Sequence, residues 1–520
     1  MILPPPPYTT WRPGQSEVVE TILNSPAKYV VLEIPPGGGK SVIAVGVGRN
    51  RPTRGGSAAN HYLTATKALQ TQYEGIDGVV GVRGRGNFPC LIEPKVTADV
   101  GVCTMGRKCQ YAGKSGTEGC EYEDQKREAL EAGDVVFNYA YWLTTMNSFN
   151  PPFPVPGLLV CDEAHTLRQE VERFVGVTVR TRTLDRLDIE PPAGTTVGSW
   201  RRWAKANVAK VHAAIKATNR DSQRYQWHQY SALYKAMDRC AETDDASFVI
   251  EELPLGTGWE FKPVWASGWA RSAVFRHVPQ DGKVVLMSAT ILDKEVFCES
   301  VGIPADQAEF VRLGSTFPRE SRPLRYWPVA KVSGRLGAAT LGQIGDAVDE
   351  ILAAHGGEKG LVHTTNYTIA QYLVEHSRYP GRLLTHTAKN REDVLRTFRS
   401  SPHPVVLVSP SMTTGVDLPY EQTRFQIITK LPFPDISSPQ RRAQMGKELG
   451  QELVTYDTAA TLIQTYGRAM RAEDDWGVTY LLDSNFNWFR HKATRYLPEW
   501  FTEAIEWDVR LGSLERKVLA

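Results

Sequence analysis

The apolar run Tyr29-Val30-Val31-Leu32-Glu33-Ile34 breaks into Pro35-Pro36-Gly37-Gly38-Gly39 and then into Lys40-Ser41-Val42-Ile43-Ala44-Val45-Gly46-Val47. In order, these read as a buried strand, a turn and the start of a helix. That succession commits this part of the chain to α/β architecture and points a helix N-terminus at the edge where the strand ends. Glycines let backbone N–H groups approach phosphate oxygens. A lysine adds a point charge at the outer phosphates, and a hydroxyl reaches Mg²⁺. Gly37, Gly38, Gly39, Lys40 and Ser41 supply all three. The strict spacing wants another glycine five residues before Gly39, where Ile34 stands. Taken alone, these residues also fit a plain glycine turn before a helix.

Further strands are expected at Tyr62–Thr66, Val135–Phe137, Leu158–Asp162 and Val284–Met287. A second series follows at Gly360–Val362, Val405–Val408, Phe425–Ile428 and Val478–Leu482. Helical stretches alternate with them, which implies mostly parallel sheets covered on both faces. A chain of 520 residues has room for roughly three to four domains. With 42% hydrophobic and 23% charged residues it is neither disordered nor fibrous. The formal net charge is +2, so any polyanion must be gripped by a local groove and not by the overall field. No apolar run reaches the roughly 18–20 residues of a membrane span. The proline run Met1–Pro7 lacks the features of a secretory signal, so a cytoplasmic protein with no membrane partner is expected. Seven cysteines, an odd count, fit a reduced compartment.

Two territories interrupt the alternation. From about Gly84 to Tyr122, glycines, prolines and Cys90, Cys103, Cys109 and Cys120 replace regular patterns. Twelve, five and ten residues separate the four cysteines, without the short knuckle of common zinc sites. Spacing leaves zinc, an iron–sulfur cluster and no metal all open. From about Thr166 to Gln280, Trp200, Trp203, Val208, Val211 and Ile215 recur at helical spacing, with Arg201, Arg202, Lys205, Lys210 and Lys216 among them. This basic amphipathic helix reads either as a solvated face or as a nucleic-acid-facing one. Cys161, Cys240 and Cys298 are isolated, and core packing suits them. The scattered His363, His386 and His403 suit local structural roles.

Asp162-Glu163-Ala164-His165 follows a strand that carries the acids to the C-terminal edge of the sheet, where ligands of open α/β folds bind. Asp162 suits Mg²⁺ and Glu163 suits a base for an attacking water. Ser288-Ala289-Thr290 follows another buried strand and could couple a nucleotide site to movement, with His165 as a hydrogen-bonding coupler. Helical spacing would put Gln464, Arg468 and Arg471 on one face, where guanidiniums could stabilise charge developing on a γ-phosphate.

In this order the chain resembles a superfamily 2 helicase. The segments are Arg12-Pro13-Gly14-Gln15, Gly37–Ser41, Thr64-Ala65-Thr66, Asp162–His165, Ser288–Thr290, Thr414-Gly415-Val416-Asp417 and Gln464–Arg471. The resemblance narrows to the Rad3/XPD and DinG branch. Gly84–Cys90, Asp134–Tyr139, Ser315–Pro318 and Lys430–Pro434 are similar to segments of that branch. It implies two RecA-like parallel-sheet motor domains, the first interrupted by an iron–sulfur insert and a helical arch insert. Motor domain 1 would span 1–83, 123–165 and 281–318. The cluster domain would span 84–122, the arch-like domain 166–280 and motor domain 2 319–520. The resemblance implies that Arg12 and Gln15 contact the nucleotide, Gln15 reading adenine, and that Lys40 and Ser41 hold phosphates and Mg²⁺. Asp162 and Glu163 would carry metal and water. Gly415 and Asp417 would link nucleotide to nucleic acid, and Gln464, Arg468 and Arg471 would complete the site. Cys90, Cys103, Cys109 and Cys120 would hold a [4Fe–4S] cluster. The implied activity is ATP-dependent 5′→3′ unwinding of DNA by a monomer on single strands and junctions. The alternatives are a translocase that clears R-loops or bound proteins, a DinG-like nuclease, and a cluster protein that uses ATP only as a switch. About 28 residues precede the first strand, too few for a nuclease domain there.

Overall fold

The computed structural model describes residues 2–51, 59–105, 109–111, 119–220, 222–244, 246–315, 317–332, 334, 336–387, 389–410, 418, 420–468 and 475–507. In chain order its strands begin with β1 (Tyr29–Glu33), β2 (Asn60–Thr64), β3 (Val79–Val82), β4 (Asp134–Asn138) and β5 (Leu158–Asp162). Then come β6 (Val177–Arg180), β7 (Phe248–Glu252), β8 (Gly258–Pro263), β9 (Lys283–Ser288) and β10 (Ala308–Arg312). The rest are β11 (Leu324–Ala330), β12 (Gly360–His363), β13 (Leu383–Thr385), β14 (Val406–Ser409), β15 (Phe425–Ile428), β16 (Val478–Asp483) and β17 (Ile505–Glu506).

They form two seven-stranded parallel sheets and one small antiparallel sheet. The first sheet is ordered β10-β1-β9-β5-β2-β4-β3 and the second β13-β14-β12-β15-β16-β11-β17. The central strands are buried along nearly their whole length, as Val30, Val31, Leu32, Leu158, Leu159 and Val160 show. Burial on both faces is what turns them into continuous apolar runs instead of alternating ones. The two-motor arrangement expected from the sequence is therefore present. Polar side chains cap several strand-to-helix junctions, a common way to satisfy the first amides of a helix. Thr66 Oγ1 accepts from Leu69 N, Asn138 Oδ1 from Tyr141 N and Asn366 Oδ1 from Ile369 N.

The segment 166–280, expected as a helical insert, also carries strands. Its long helices Val197–Ala217 and Arg224–Glu242 pack together, but β6, β8 and β7 form an antiparallel sheet beside them. The helical pattern predicted at Trp200 was strong, whereas the strands are short with half-exposed alternating residues. Trp200 is fully buried against Trp203, Trp259 and Phe261, so the apolar side of this helix faces the sheet. Arg202, Lys205, Lys210 and Lys216 lie on its exposed side. In the cysteine-rich segment the described residues form short turns of 3-10 helix, at Arg85–Asn87, Ala98–Val100 and Val102–Met105, and an isolated antiparallel bridge between Pro89 and Thr97. Arg224 grips Glu93 there with two hydrogen bonds, so the long helices brace the segment. Among the described residues no helix is long and apolar enough to cross a membrane.

Candidate nucleotide site between the two motors

Strand register builds the site. β1 lies between β10 and β9, and β9 pairs with β5, so Glu33 is level with Ser288 and Asp162 with Met287. Three strand ends therefore deliver Gly37–Ser41, Asp162–Glu163 and Ser288–Thr290 to one edge. In the first, Gly37 and Gly39 have φ of 77° and 74°, a left-handed conformation that glycine adopts without steric cost. The departure at Ile34 has a local answer. Ile34 is fully buried, and a Cβ on Gly38 would sit 2.3 Å from its Cγ2. The middle glycine leaves room for the isoleucine. No side chain caps the helix Lys40–Asn50 that follows.

Lys40 Nζ lies 3.7 Å from Glu163 Oε1, so lysine and acid already face each other. Glu163 has φ of 50°, a sparsely populated conformation for a non-glycine residue and one that clusters at functional sites. Asp162 is buried. Its Oδ1 accepts from the Glu163 amide at 2.8 Å and its Oδ2 from the Tyr73 hydroxyl at 3.1 Å. Burial and then the neighbouring Glu163 charge push its carboxyl up to about 7, against the pull of Lys40 and the two hydrogen bonds. A buried carboxyl held near neutral pH fits a site that receives a divalent cation. Ser41 Oγ, which accepts from Gln72 Nε2 at 3.1 Å, is the second oxygen suited to it.

Arg12 and Gln15 reach the same loop from the N-terminal side. Arg12 Nη1 donates to Gly37 O at 2.8 Å and Gln15 Nε2 to Gly38 O at 2.9 Å. Arg12, Gln15, Pro35, Gly38 and Leu313 line a small cleft there.

From Glu163 a line of polar contacts crosses to the second motor. His165 Nδ1 is 3.3 Å from Glu163 Oε2 and 2.8 Å from Ser288 Oγ. Ser288 Oγ is 3.3 Å from Thr290 Oγ1, which accepts from Gln464 Nε2 at 2.8 Å. Gln464 belongs to the helix Glu448–Tyr466, which ends at Gly467. Arg468 thus lies in the turn beyond that helix and not on its face, a correction to the regular helical spacing. It is buried, with its charge near His363. Gly467 stands over Pro36 of the glycine loop, where a Cβ would come within 2.7 Å of the proline ring. Arg471, Gly415 and Asp417 lie outside the described residues.

Residues 350–504 match the helicase C-terminal domain family. The ATP-dependent DNA helicase YoaA of Haemophilus influenzae is 22% identical over 459 residues, covering 76% of this chain and 69% of that protein. The chain therefore carries a helicase C-terminal domain and is similar over most of its length to an ATP-dependent DNA helicase. The ATP-dependent DNA helicase DinG of Photobacterium profundum is 25% identical to it over 261 residues, covering 46% of this chain but 35% of that protein. Two solved structures share this chain's fold. One titled XPD helicase has a TM-score of 0.65 at 13% identity, covering 92% of this chain and 97% of that one. Xpd4 of S. tokodaii has a TM-score of 0.59 at 13% identity, covering 95% and 100%.

In the cysteine-rich segment, Arg85 Nη1 donates to Cys103 Sγ at 3.1 Å. Burial pushes the Cys103 thiol up against the pull of Arg85, and the nearby Cys109 and Cys90 add to the push. The thiols of Cys90 and Cys109 therefore lie near that of Cys103. Among the described residues, however, no three His, Cys, Asp or Glu side chains are grouped so as to hold a metal ion. Sequence reasoning missed Gln72 and Tyr73. Both lie on the helix Lys67–Glu74, but nothing in a single sequence pairs them with Ser41 and Asp162.

Proposed function

We propose that this chain is an ATP-dependent DNA helicase that moves 5′→3′ along single-stranded DNA and opens duplex ahead of it. One observation carries the ATP-driven reading: the polar line from Lys40 through Glu163, His165, Ser288 and Thr290 to Gln464, which joins the phosphate loop of one motor to a helix of the other. Gly37, Gly38 and Gly39 let the loop backbone approach the phosphates, and Lys40 adds its charge there. Ser41 and Asp162 would hold Mg²⁺, which when bound neutralises charge on the phosphate oxygens. Glu163 orients the attacking water and takes its proton. Gln464, Arg468 and Arg471 complete the site from the second motor. Arg12 and Gln15 sit where the base would lie, and Gly415 and Asp417 would pass the change on to the nucleic acid. Loss of the γ-phosphate removes the charge these groups converge on. The motors then part, and phosphate contacts with little sequence preference let the strand advance.

Cys90, Cys103, Cys109 and Cys120 would hold a [4Fe–4S] cluster. The donor set supports this: the thiols of Cys90 and Cys109 lie near that of Cys103, in a segment with too little core to order itself. The cluster would supply that order. Iron and sulfide per chain, measured on protein purified without oxygen, should each approach about four. Zinc alone, or well-folded protein without metal, would sink the cluster and leave the ATPase standing.

The test of polarity uses two duplexes that differ only in the tail. With ATP and Mg²⁺, the 5′-tailed duplex should be unwound and the 3′-tailed one left intact. Unwinding of the 3′-tailed duplex alone would reverse the assignment. Hydrolysis with neither unwound would favour a translocase.

A further inference from the structure

We infer that Arg168, in the first helix of the insert just past the acids of the first motor, and Asp457 of the second motor form a strut that positions the second motor's helix against the nucleotide site. The inference rests on the ATPase reading above. Arg168 stands five residues after Glu163, in the first turn of the helix Leu167–Val175. It is only 8% exposed, and its Nη2 lies 2.7 Å from Asp457 Oδ2. Arg441 Nη2 donates to the same oxygen at 2.6 Å. Glu172, one turn beyond Arg168, brings a second carboxylate near Arg168 and Arg441. Gln440 and Gln444 donate to Pro263 O and Val264 O of the insert at 2.8 and 2.7 Å.

Placement gives the pair its meaning. Asp457 and Gln464 share the helix Glu448–Tyr466, seven residues apart. Seven residues are nearly two turns, so both point to the same side, about 10 Å apart along the axis. Gln464 touches Thr290 and Asp457 touches Arg168. Tyr456 also donates to Ile291 O at 2.6 Å. The helix is therefore tied at two separate heights, to Thr290 and Ile291 of the first motor and to Arg168 in the helix that leads from it into the insert. One tie ends beside Ser288, and the other ends one helical turn past His165. Together they fix the tilt of the helix whose last turn leads into Arg468. Neither Arg168 nor Asp457 touches the phosphate loop, so both are positioning residues. An ion pair buried to this degree holds register well; without Arg168, Asp457 keeps only Arg441, a residue of its own motor, and the link across to the insert is lost.

The test is a double-mutant cycle on ATP hydrolysis with saturating single-stranded DNA. Arg168→Ala and Asp457→Ala should each lower kcat at least tenfold while KM for ATP stays within twofold. The double variant should be no slower than the slower single, and Arg168→Lys should recover part of the loss. Multiplying losses, or an unchanged kcat, would overturn the strut. So would a rise in KM that accounts for the whole effect. Should Arg168→Ala not fold, Arg168→Lys replaces it in the cycle. A spin-label distance between the motors, measured with Mg²⁺ and a non-hydrolysable ATP analogue, decides independently of turnover. Its distribution should broaden in the Arg168 variant, and an unchanged one refutes the proposal. If the wild-type chain hydrolyses no ATP, the proposed function fails, and this distance alone judges the strut.

Discussion

At the scale of single residues, the chemistry concentrates in Asp162 and Glu163. Asp162 has a carboxyl raised by burial and then by Glu163 to about 7. A raised carboxyl binds its proton more tightly in the folded state. Its contribution to stability is present below the usual carboxylate range and is lost as pH rises through about 7. Asp162→Asn should therefore make the Mg²⁺-free protein more heat-stable than wild type at pH 8, by about 2–4 °C for each kcal/mol released. The gain should shrink toward pH 5 and vanish only below the usual carboxylate range. Scanning calorimetry at the two pH values checks this, and a variant less stable than wild type at pH 8 contradicts it. Glu163→Gln keeps the shape but removes the base. It should bind ATP like wild type and turn over about 10²–10⁴-fold more slowly. Equilibrium binding beside steady-state turnover separates the two, and normal turnover would mean that another group activates the water. The acids themselves were legible because they end a continuous apolar strand. Tyr73, Gln72 and the Arg168–Asp457 pair were not, because their partners come from distant segments and leave no spacing to read.

Elements are where sequence patterns were strongest and where they failed. Long apolar runs flanked by turn residues predicted β1, β5, β9, β14, β15 and β16 to within a residue or two. β2 lies two residues earlier than expected, since Asn60 and His61 are polar yet buried. β3, β10, β11, β13 and β17 were missed. They lie toward the sheet margins and mix buried with half-exposed positions, so their apolar pattern is broken. The helix after Gln464 was overextended, because spacing alone does not show that the helix stops at Gly467. The glycine loop offers a test at this scale. Gly38→Ala puts a methyl group into Ile34, and ATP affinity should fall markedly. Ile34→Ala removes the obstructing Cγ2 at a cost of about 2–5 kcal/mol in stability. The double variant should recover much of the lost affinity, as titration with a fluorescent nucleotide would show. No recovery would mean that Gly38 is needed for its backbone and not for space.

The whole molecule joins two motors through contacts that an insert shares. One hydrophobic core runs from Val171 in the helix after the acids, through Ile250 and Phe261 of the insert, to Leu453 and Tyr456 of the second motor. The insert therefore packs with both motors although it is threaded through only one. Domain order was readable from the alternation of strands and helices. This three-way packing was not, because it depends on how separate domains dock. Trp200→Ala should cost the insert about 3–5 kcal/mol. Hydrolysis without DNA should change little, whereas DNA stimulation should weaken. Protease sensitivity within 181–263 and the two rates check this, and equal loss of both rates would mean that the insert also supports the nucleotide site. The central claim, that this chain couples ATP hydrolysis to DNA, is tested most directly by hydrolysis rates with and without single-stranded DNA for wild type and Lys40→Ala. Strong stimulation in the wild type, and a fall of about 10²-fold or more in the variant, is the predicted result. Hydrolysis that ignores DNA, or that survives in Lys40→Ala, would contradict the account.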